Sequence, residues 1–219
     1  MQAIELIANT IPPLSTTDTV QQALDRMAEF KVRHLPIVME DQFIGLVSEE
    51  DLLMPDHQIH LNDLSLSLVT SYVHENQHIY DVIRLFYELK LTLVPVLSVT
   101  KAYTGVVAIN DLNNWFAQLT SVADPGGIIV LDINTKDNSL AHMAQIVESD
   151  NAHIMSFYVR NFPESTRMEV TLKINKPDVS GISATFLRYG YDVKAVFGNN
   201  DNNDDTMDRY DSLMNYLNL

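Results

Sequence analysis

Cysteine is absent from this chain of 219 residues, and glycine and long apolar runs are scarce. Without cysteine there can be no disulfide, no thiolate-ligated metal and no thiol catalysis. The seven glycines leave little material for phosphate-cradling loops, and neither a P-loop nor a G-x-G-x-x-G pattern occurs. No apolar run approaches the ~20 residues that a membrane-spanning helix needs. These absences exclude many classes of enzyme and membrane protein.

Basic residues are also few, with 14 Lys and Arg against 29 Asp and Glu and a formal net charge of −15 at pH 7. Such a surface repels nucleic-acid backbones and anionic membranes, so we expect neither as a partner. The first residues lack the basic and apolar regions of a signal peptide. Together with the absence of cysteine, this predicts a cytoplasmic protein.

The chain contains an internal repeat. Residues 32–52 read VRHLPIVMEDQFIGLVSEEDL, and residues 91–112 read LTLVPVLSVTKAYTGVVAINDL. In each copy a stretch with helical periodicity precedes two short apolar runs joined by a polar turn, and a second helix follows. The pattern predicts an α+β fold in which a β-α-β-β-α unit occurs twice. Three residues recur at nearly constant spacing, pairing Pro36 with Pro95, Gly45 with Gly105, and Asp51 with Asp111.

This repeat resembles a tandem pair of cystathionine-β-synthase (CBS) domains over residues 1–121, with repeat one at about 1–60 and repeat two at about 61–121. The resemblance implies a regulatory, non-catalytic module that forms a homodimer. It also implies clefts that take adenine nucleotides or related adenosyl ligands. The segments that carry it are HLPIV at 34–38, GLVSEEDL at 45–52, LVPVL at 93–97 and GVVAINDL at 105–112.

The repeated aspartate suits a ribose, because a carboxylate can accept hydrogen bonds from two adjacent hydroxyls. Ser48 precedes Asp51 by three residues, so its hydroxyl can cap a helix and also reach a ligand oxygen. Both residues could equally serve only as a helix cap. Ala108 takes the place of the serine in repeat two. The resemblance gives as ligand-binding residues Ser48, Asp51, Thr16, Thr17, Pro36 and Asp111.

Charge near Ser48 bears on which ligand is preferred. Glu49 and Glu50 separate Ser48 from Asp51, and no basic residue stands between them. A like charge ~4 Å away costs roughly 1–4 kcal/mol across plausible surface dielectrics. We therefore expect AMP, adenosine or S-adenosylmethionine to be favoured over ATP, unless Arg33 or Arg84 reaches the site.

A second pattern follows the turn-rich segment ADPGG at residues 123–127. Apolar and alternating segments over residues 127–198 predict the ferredoxin-like order β-α-β-β-α-β. This order behind the repeat resembles an ACT domain, and the combination resembles the acetoin-utilisation regulatory protein family. The resemblance implies either amino-acid binding at the loop before the first helix or dimerisation alone. That loop usually carries glycine, whereas Asn138 and Ser139 stand here.

The C-terminal segment and a pair of histidines carry two further predictions. Residues 199–219 predict an acidic linker and an amphipathic C-terminal helix that packs on the CBS pair or on a neighbouring subunit. His57 and His60 stand beside Asp56 but lack a further ligand at a recognised spacing, so we predict no metal site. We predict no catalytic residues either.

The sequence thus predicts a regulatory module that senses an adenine nucleotide or adenosyl ligand through the CBS pair. The signal would pass to an unknown protein partner or through the protein's own dimer. The alternative is an assembly protein whose ligand clefts are vestigial.

Overall fold

The computed structural model describes residues 1–7, 11–134, 136 and 139–198. The predicted linker and C-terminal helix at 199–219 lie outside the described residues. The chain divides into two compact units, Met1–Trp115 and Phe116–Leu219.

The first unit contains repeat one and repeat two up to Trp115, so the boundary between the units falls within the last helix of repeat two. Repeat two has the complete predicted layout, whereas the first strand of repeat one is reduced to a single bridge between Leu14 and Ile37. Repeat one comprises α1 (Val20–Phe30), β1 (His34–Met39), β2 (Gln42–Ser48) and α2 (Glu49–Leu52). Repeat two comprises β3 (Val73–His74), α3 (Ile79–Leu89), β4 (Leu93–Leu97), β5 (Tyr103–Ala108) and α4 (Ile109–Leu119).

The first helix of each repeat is defined by local sequence. Thr19 and Gln22 exchange hydrogen bonds between side chain and backbone, forming the capping box that starts α1. Helix α1 ends where Lys31 adopts a left-handed conformation with φ 54°, and α3 ends in the same way at Lys90 with φ 54°. The buried faces are equivalent, with Val20, Ala23 and Met27 on α1 and Ile79, Val82 and Phe86 on α3.

Each repeat also contains an antiparallel hairpin, β1–β2 or β4–β5, and the two hairpins share one hydrophobic core. They contact each other at both ends. At one end Thr92, just before β4, bonds to the start of β1. At the other end the N–H of Tyr103 donates to the carbonyl of Asp41 at 2.8 Å. The two repeats therefore fold as one unit.

The second unit comprises one sheet and two helices around a separate core. The sheet order β7-β8-β6-β9 is antiparallel throughout, and the chain follows the predicted order β-α-β-β-α-β. Ile129, Leu131 and Ile133 alternate along β6 and pack in the core with apolar residues of both helices. The elements are β6 (Gly127–Asn134), α5 (Leu140–Glu148), β7 (Ile154–Asn161), β8 (Arg167–Ile174), α6 (Ser180–Arg188) and β9 (Asp192–Phe197).

We predict that Gly45→Ala destabilises the first unit. A Cβ at Gly45 would lie 2.6 Å from Cβ of Leu68. Leu68 belongs to a segment held on β2 by paired backbone bonds between Leu46 and Val69, so the backbone must shift. We expect a loss of about 1–3 kcal/mol in the free energy of unfolding.

Trp115, the single tryptophan of the chain, packs against this core, so its fluorescence during urea unfolding provides the measurement. The control is Gly181→Ala in α6, where the new Cβ meets its nearest atom at 3.7 Å. Equal unfolding midpoints by Trp115 fluorescence for Gly45→Ala and the control would contradict the clash.

A second stability prediction concerns Tyr103, whose buried hydroxyl has no hydrogen-bond partner among the described residues. Burial also raises the pKa of this hydroxyl. The repeat places Phe43 at the equivalent position. Because an unpaired buried hydroxyl is costly, Tyr103→Phe should leave the unfolding free energy unchanged or raise it by about 1 kcal/mol. A clear loss in the same urea assay would show that the hydroxyl makes a stabilising contact.

Candidate ligand-binding site

Ser48 and Asp51 form a closed pair at the junction of β2 and α2. The Asp51 Oδ2 accepts hydrogen bonds from the Ser48 N–H at 3.2 Å and from the Ser48 hydroxyl at 2.6 Å. In return the Asp51 N–H donates to the Ser48 Oγ at 3.2 Å. This is a reciprocal capping box. The helix cap expected from the sequence is therefore present, and a ligand would have to compete with it.

Repeat two has only half of this arrangement. The Asp111 Oδ2 accepts a hydrogen bond from the Ala108 N–H at 3.3 Å, and no hydroxyl completes the box. Ala108 is 6% exposed, whereas Ser48 is half-buried. The equivalent position in repeat two is thus both less polar and less accessible.

His34 connects the two repeats beside Ser48, its partner in the β1–β2 ladder. The N–H of Thr92 donates to the His34 Nδ1 at 3.3 Å, so the neutral ring carries its proton on Nε2. The Thr92 Oγ1 lies 3.1 Å from the same nitrogen and accepts the Arg33 N–H at 2.9 Å. Thr92 therefore positions both His34 and Arg33. Sequence reasoning missed this role, although Thr92 aligns with Arg33 in the repeat.

The environment of His34 favours its neutral form. Burial lowers the pKa of His34 from its ordinary value of 6.5. The negative charges of Asp51 and Glu50 partly oppose this shift, and Arg33 reinforces it. At neutral pH the ring is therefore uncharged and offers one N–H donor.

A groove of about 350 Å³, which we call the ligand groove, is lined in part by His34 and Ser48. Two positive and two negative formal charges line it. Arg33 and Glu49 approach to 3.9 Å, a pair exposed enough to be weak. Arg33 therefore reaches the site, which is the condition under which the expected ligand preference would not hold, and Lys90 joins it because helix α3 ends in this groove. Repeat one contributes Arg33, His34, Ser48, Glu49 and Glu50, and repeat two contributes Leu89 and Lys90.

Of the six predicted ligand-binding residues, Ser48 alone lines the groove, and Asp51 is bonded to Ser48. Pro36 is buried in β1, where its carbonyl accepts the Leu14 N–H at 2.8 Å. Thr16 and Thr17 follow Leu14 and do not line the groove, and the Thr16 carbonyl accepts the Asn62 N–H at 2.9 Å. Asp111 lies in repeat two. Arg84 instead pairs with Asp81 at 3.0 Å and does not line the groove.

A second groove, of about 460 Å³, lies on the second unit. The His142 Nδ1 is 2.8 Å from the Tyr191 hydroxyl. Arg167 bonds Asp132 at 2.8 Å and Asp192 at 3.1 Å, and its hydrogen bond lowers the pKa of Asp132. Asn134 at the end of β6, and Lys136 and Ser139 in the loop before α5, also line this groove.

His57 and His60 each use one ring nitrogen within the first unit. The His57 Nδ1 lies 2.9 Å from the Gln21 Oε1, and the His60 Nδ1 lies 2.7 Å from the Thr17 carbonyl. Across the described ranges, no three His, Asp or Glu side chains come together in a way that could hold a metal ion. Within the same ranges, no helix combines the length and apolar character needed to cross a membrane.

Comparison with known proteins identifies part of the chain. Residues 4–55 match the family model of the CBS domain. The chain therefore carries a CBS domain in repeat one, as the sequence predicted, and repeat two has the equivalent helix and hairpin.

Three solved structures are similar to about half of this chain. A CBS domain pair/ACT domain protein from Thermotoga maritima is 26% identical, over 53% of this chain and 96% of that chain, with a TM-score of 0.49. CBSX2 in complex with AMP is 20% identical, over 53% and 96%, with a TM-score of 0.46. A structure from Vibrio cholerae named for acetoin utilization is 18% identical, over 56% and 95%, with a TM-score of 0.49.

We predict that His34 titrates below its ordinary pKa of 6.5 in the folded protein, because burial disfavours its charged form. Proton NMR of the histidine ring protons provides the measurement. The His34 signal is assigned as the one that disappears in His34→Gln.

The same shift predicts the sign of a stability effect. The unfolded chain binds this proton at higher pH than the folded chain, so acid favours unfolding from about pH 6.5 downward. The advantage of the wild type over His34→Gln should therefore shrink as pH falls from 7 to 5. A midpoint at or above 6.5 would refute both expectations.

Proposed function

We propose that the chain is a non-catalytic regulatory protein that binds an adenine nucleotide or adenosyl ligand in the ligand groove. The observation that carries this proposal is that a CBS domain contributes Ser48 and His34 to a groove completed by Leu89 and Lys90 of repeat two. A ligand held there contacts both repeats. It can therefore shift the equilibrium between arrangements that hold the repeats differently.

The proposed binding mode uses groups that line the groove or border it. Asp51 accepts the ribose hydroxyls after exchanging the Ser48 hydroxyl for them. The freed Ser48 hydroxyl then donates to a ligand oxygen, as does the Nε2–H of neutral His34. Arg33 and Lys90 supply positive charge for a phosphate or carboxylate group.

The charges lining the groove favour ligands of low charge. Arg33 and Lys90 offset Glu49 and Glu50, so the lining has no net charge with which to hold a triphosphate. Each further phosphate adds negative charge near two glutamates. We therefore propose that AMP, adenosine or S-adenosylmethionine binds more tightly than ATP.

The signal is proposed to pass through a homodimer or to a partner protein in the cytoplasm. Tyr80 and Tyr87 on α3 are 68% and 74% exposed, and exposed tyrosines of this kind are enriched at protein interfaces. Lys90 of the groove packs over the Tyr87 ring at 4.5 Å. A ligand that moves Lys90 would therefore change this surface.

We also propose that residues 127–198 form an ACT-like domain behind a CBS pair at 1–121, as in acetoin-utilisation regulatory proteins. The order β-α-β-β-α-β and the groove at the loop before α5 support this. The competing function is an assembly protein with vestigial clefts. It is favoured by the mutual satisfaction of Ser48 and Asp51, which need no ligand.

Thermal unfolding with AMP, adenosine, S-adenosylmethionine or ATP tests the sensing function. A ligand present at a hundredfold its Kd stabilises the folded state by about 2.7 kcal/mol. We expect AMP or S-adenosylmethionine to raise the melting temperature of the wild type but not of Asp51→Ala. Asp111→Ala removes the matched carboxylate of repeat two and should keep the response.

Three results decide between the alternatives. No response to any ligand, with dimerisation intact by analytical ultracentrifugation, would establish the assembly protein instead. Equal loss in Asp51→Ala and Asp111→Ala would remove the ligand groove as the site. Tighter binding of ATP than of AMP would overturn the charge argument.

A further inference from the structure

The two hairpin turns of the first unit enclose a second cavity, of about 480 Å³, which we call the turn cavity. It shares no residue with the ligand groove. Its volume lies within the range typical of small-molecule sites. Residues of both repeats line it. They are Glu40, Asp41, Gln42, Phe43 and Ile44 of repeat one, Thr70 and Tyr72 just before β3, and Leu97, Thr100, Lys101 and Ala102 farther along repeat two.

The two turns are fixed relative to each other by main-chain contacts. The Tyr103 N–H donates to the Asp41 carbonyl at 2.8 Å, and Gln42 forms an antiparallel bridge with Ala102. The Ala102 N–H also donates to the Ser98 Oγ at 3.1 Å within its own turn. The cavity is therefore formed before any ligand arrives, which lowers the entropic cost of binding.

Residues of opposite charge line the turn cavity, acidic ones from repeat one and a basic one from repeat two. Repeat one contributes the carboxylates of Glu40 and Asp41, and repeat two contributes the ammonium of Lys101. Among the described residues, no ion pair within 4.0 Å involves any of these three side chains. A ligand with a positive end and a negative end could pair with both kinds of charge at once.

The backbone at these charges is strained. Glu40, Asp41 and Lys101 have φ values of 48°, 63° and 66°, a region that costs non-glycine residues roughly 1–2 kcal/mol each. Glycine would adopt these angles freely. Glu40 and Asp41 are the two turn residues between β1 and β2, and two-residue hairpin turns favour positive φ at both positions.

The remaining wall is apolar. Phe43, Ile44 and Leu97 line it, and the Phe43 ring meets the Tyr72 ring edge-on at a centroid distance of 6.2 Å. Such a surface gains free energy by covering an aliphatic group.

We propose that the turn cavity binds a free α-amino acid with an aliphatic side chain. The ammonium group lies against Glu40 and Asp41, the carboxylate pairs with Lys101, and the side chain packs on Phe43 and Leu97. Binding here does not require a ligand in the ligand groove. The first unit would therefore respond to two different small molecules.

Titration calorimetry of the full chain with three probes tests the proposal. L-Leucine carries both charges, 4-methylpentanoate lacks its ammonium, and 3-methylbutylamine lacks its carboxylate. Losing a charge-assisted contact should weaken binding about tenfold or more, so leucine should bind best. Failure of leucine to bind at millimolar concentration, or equal affinity for either analogue, would overturn the proposal.

Matched variants locate the site. Lys101→Gln and Asp41→Asn should each weaken leucine binding about tenfold or more while leaving the response to AMP unchanged. Asparagine tolerates the left-handed backbone, so the second variant keeps the turn. Ser48→Ala should leave leucine binding unchanged, which separates this site from the ligand groove. Unchanged leucine affinity in both charge variants, or loss in Ser48→Ala, would refute the assignment.

Discussion

The join between the two hairpins is the constraint on which the first unit depends. At one end Thr92 forms hydrogen bonds with Arg33 and His34 at the start of β1. At the other end the Tyr103 N–H donates to the Asp41 carbonyl. These contacts align two copies of one motif around a common hydrophobic core. Both cavities of this unit follow, because each draws walls from both repeats. Under both proposals a ligand would contact residues on both sides of this join.

Positive charge is scarce in this chain, and three cations of the first unit line its two cavities. Arg33 and Lys90 line the ligand groove with two glutamates, and Lys101 lines the turn cavity with Glu40 and Asp41. In an acidic chain, unscreened cations of this kind determine which anionic groups can approach. The proposed preference for AMP, adenosine or S-adenosylmethionine over ATP rests on the same balance of charge. The second unit instead uses Arg167 to join Asp132 and Asp192.

The two repeats share a helix and a hairpin but differ in the chemistry of equivalent residues. Ser48 corresponds to Ala108, and their ladder partners are His34 and Leu93. Polar groups that could meet a ligand are thus concentrated in repeat one, and the equivalent residues of repeat two are buried. Thr92 shows the converse, because this residue of repeat two supports the groove of repeat one. The two repeats therefore contribute unequally to the ligand groove.

The sequence by itself determined the features that rest on short spacings. Periodicity and side chains a few residues apart account for three features. These are the internal repeat, the helix cap formed by Ser48 and Asp51, and the order β-α-β-β-α-β of the second unit. The tertiary structure alone decided which elements share a cavity. Thr92 meets His34 across 58 positions of chain, and Lys90 joins the groove of Ser48, while Leu14 keeps only a single bridge. Periodicity encodes which face of an element is buried, whereas the docking of one hairpin on another depends on packing between distant residues, which no local pattern specifies.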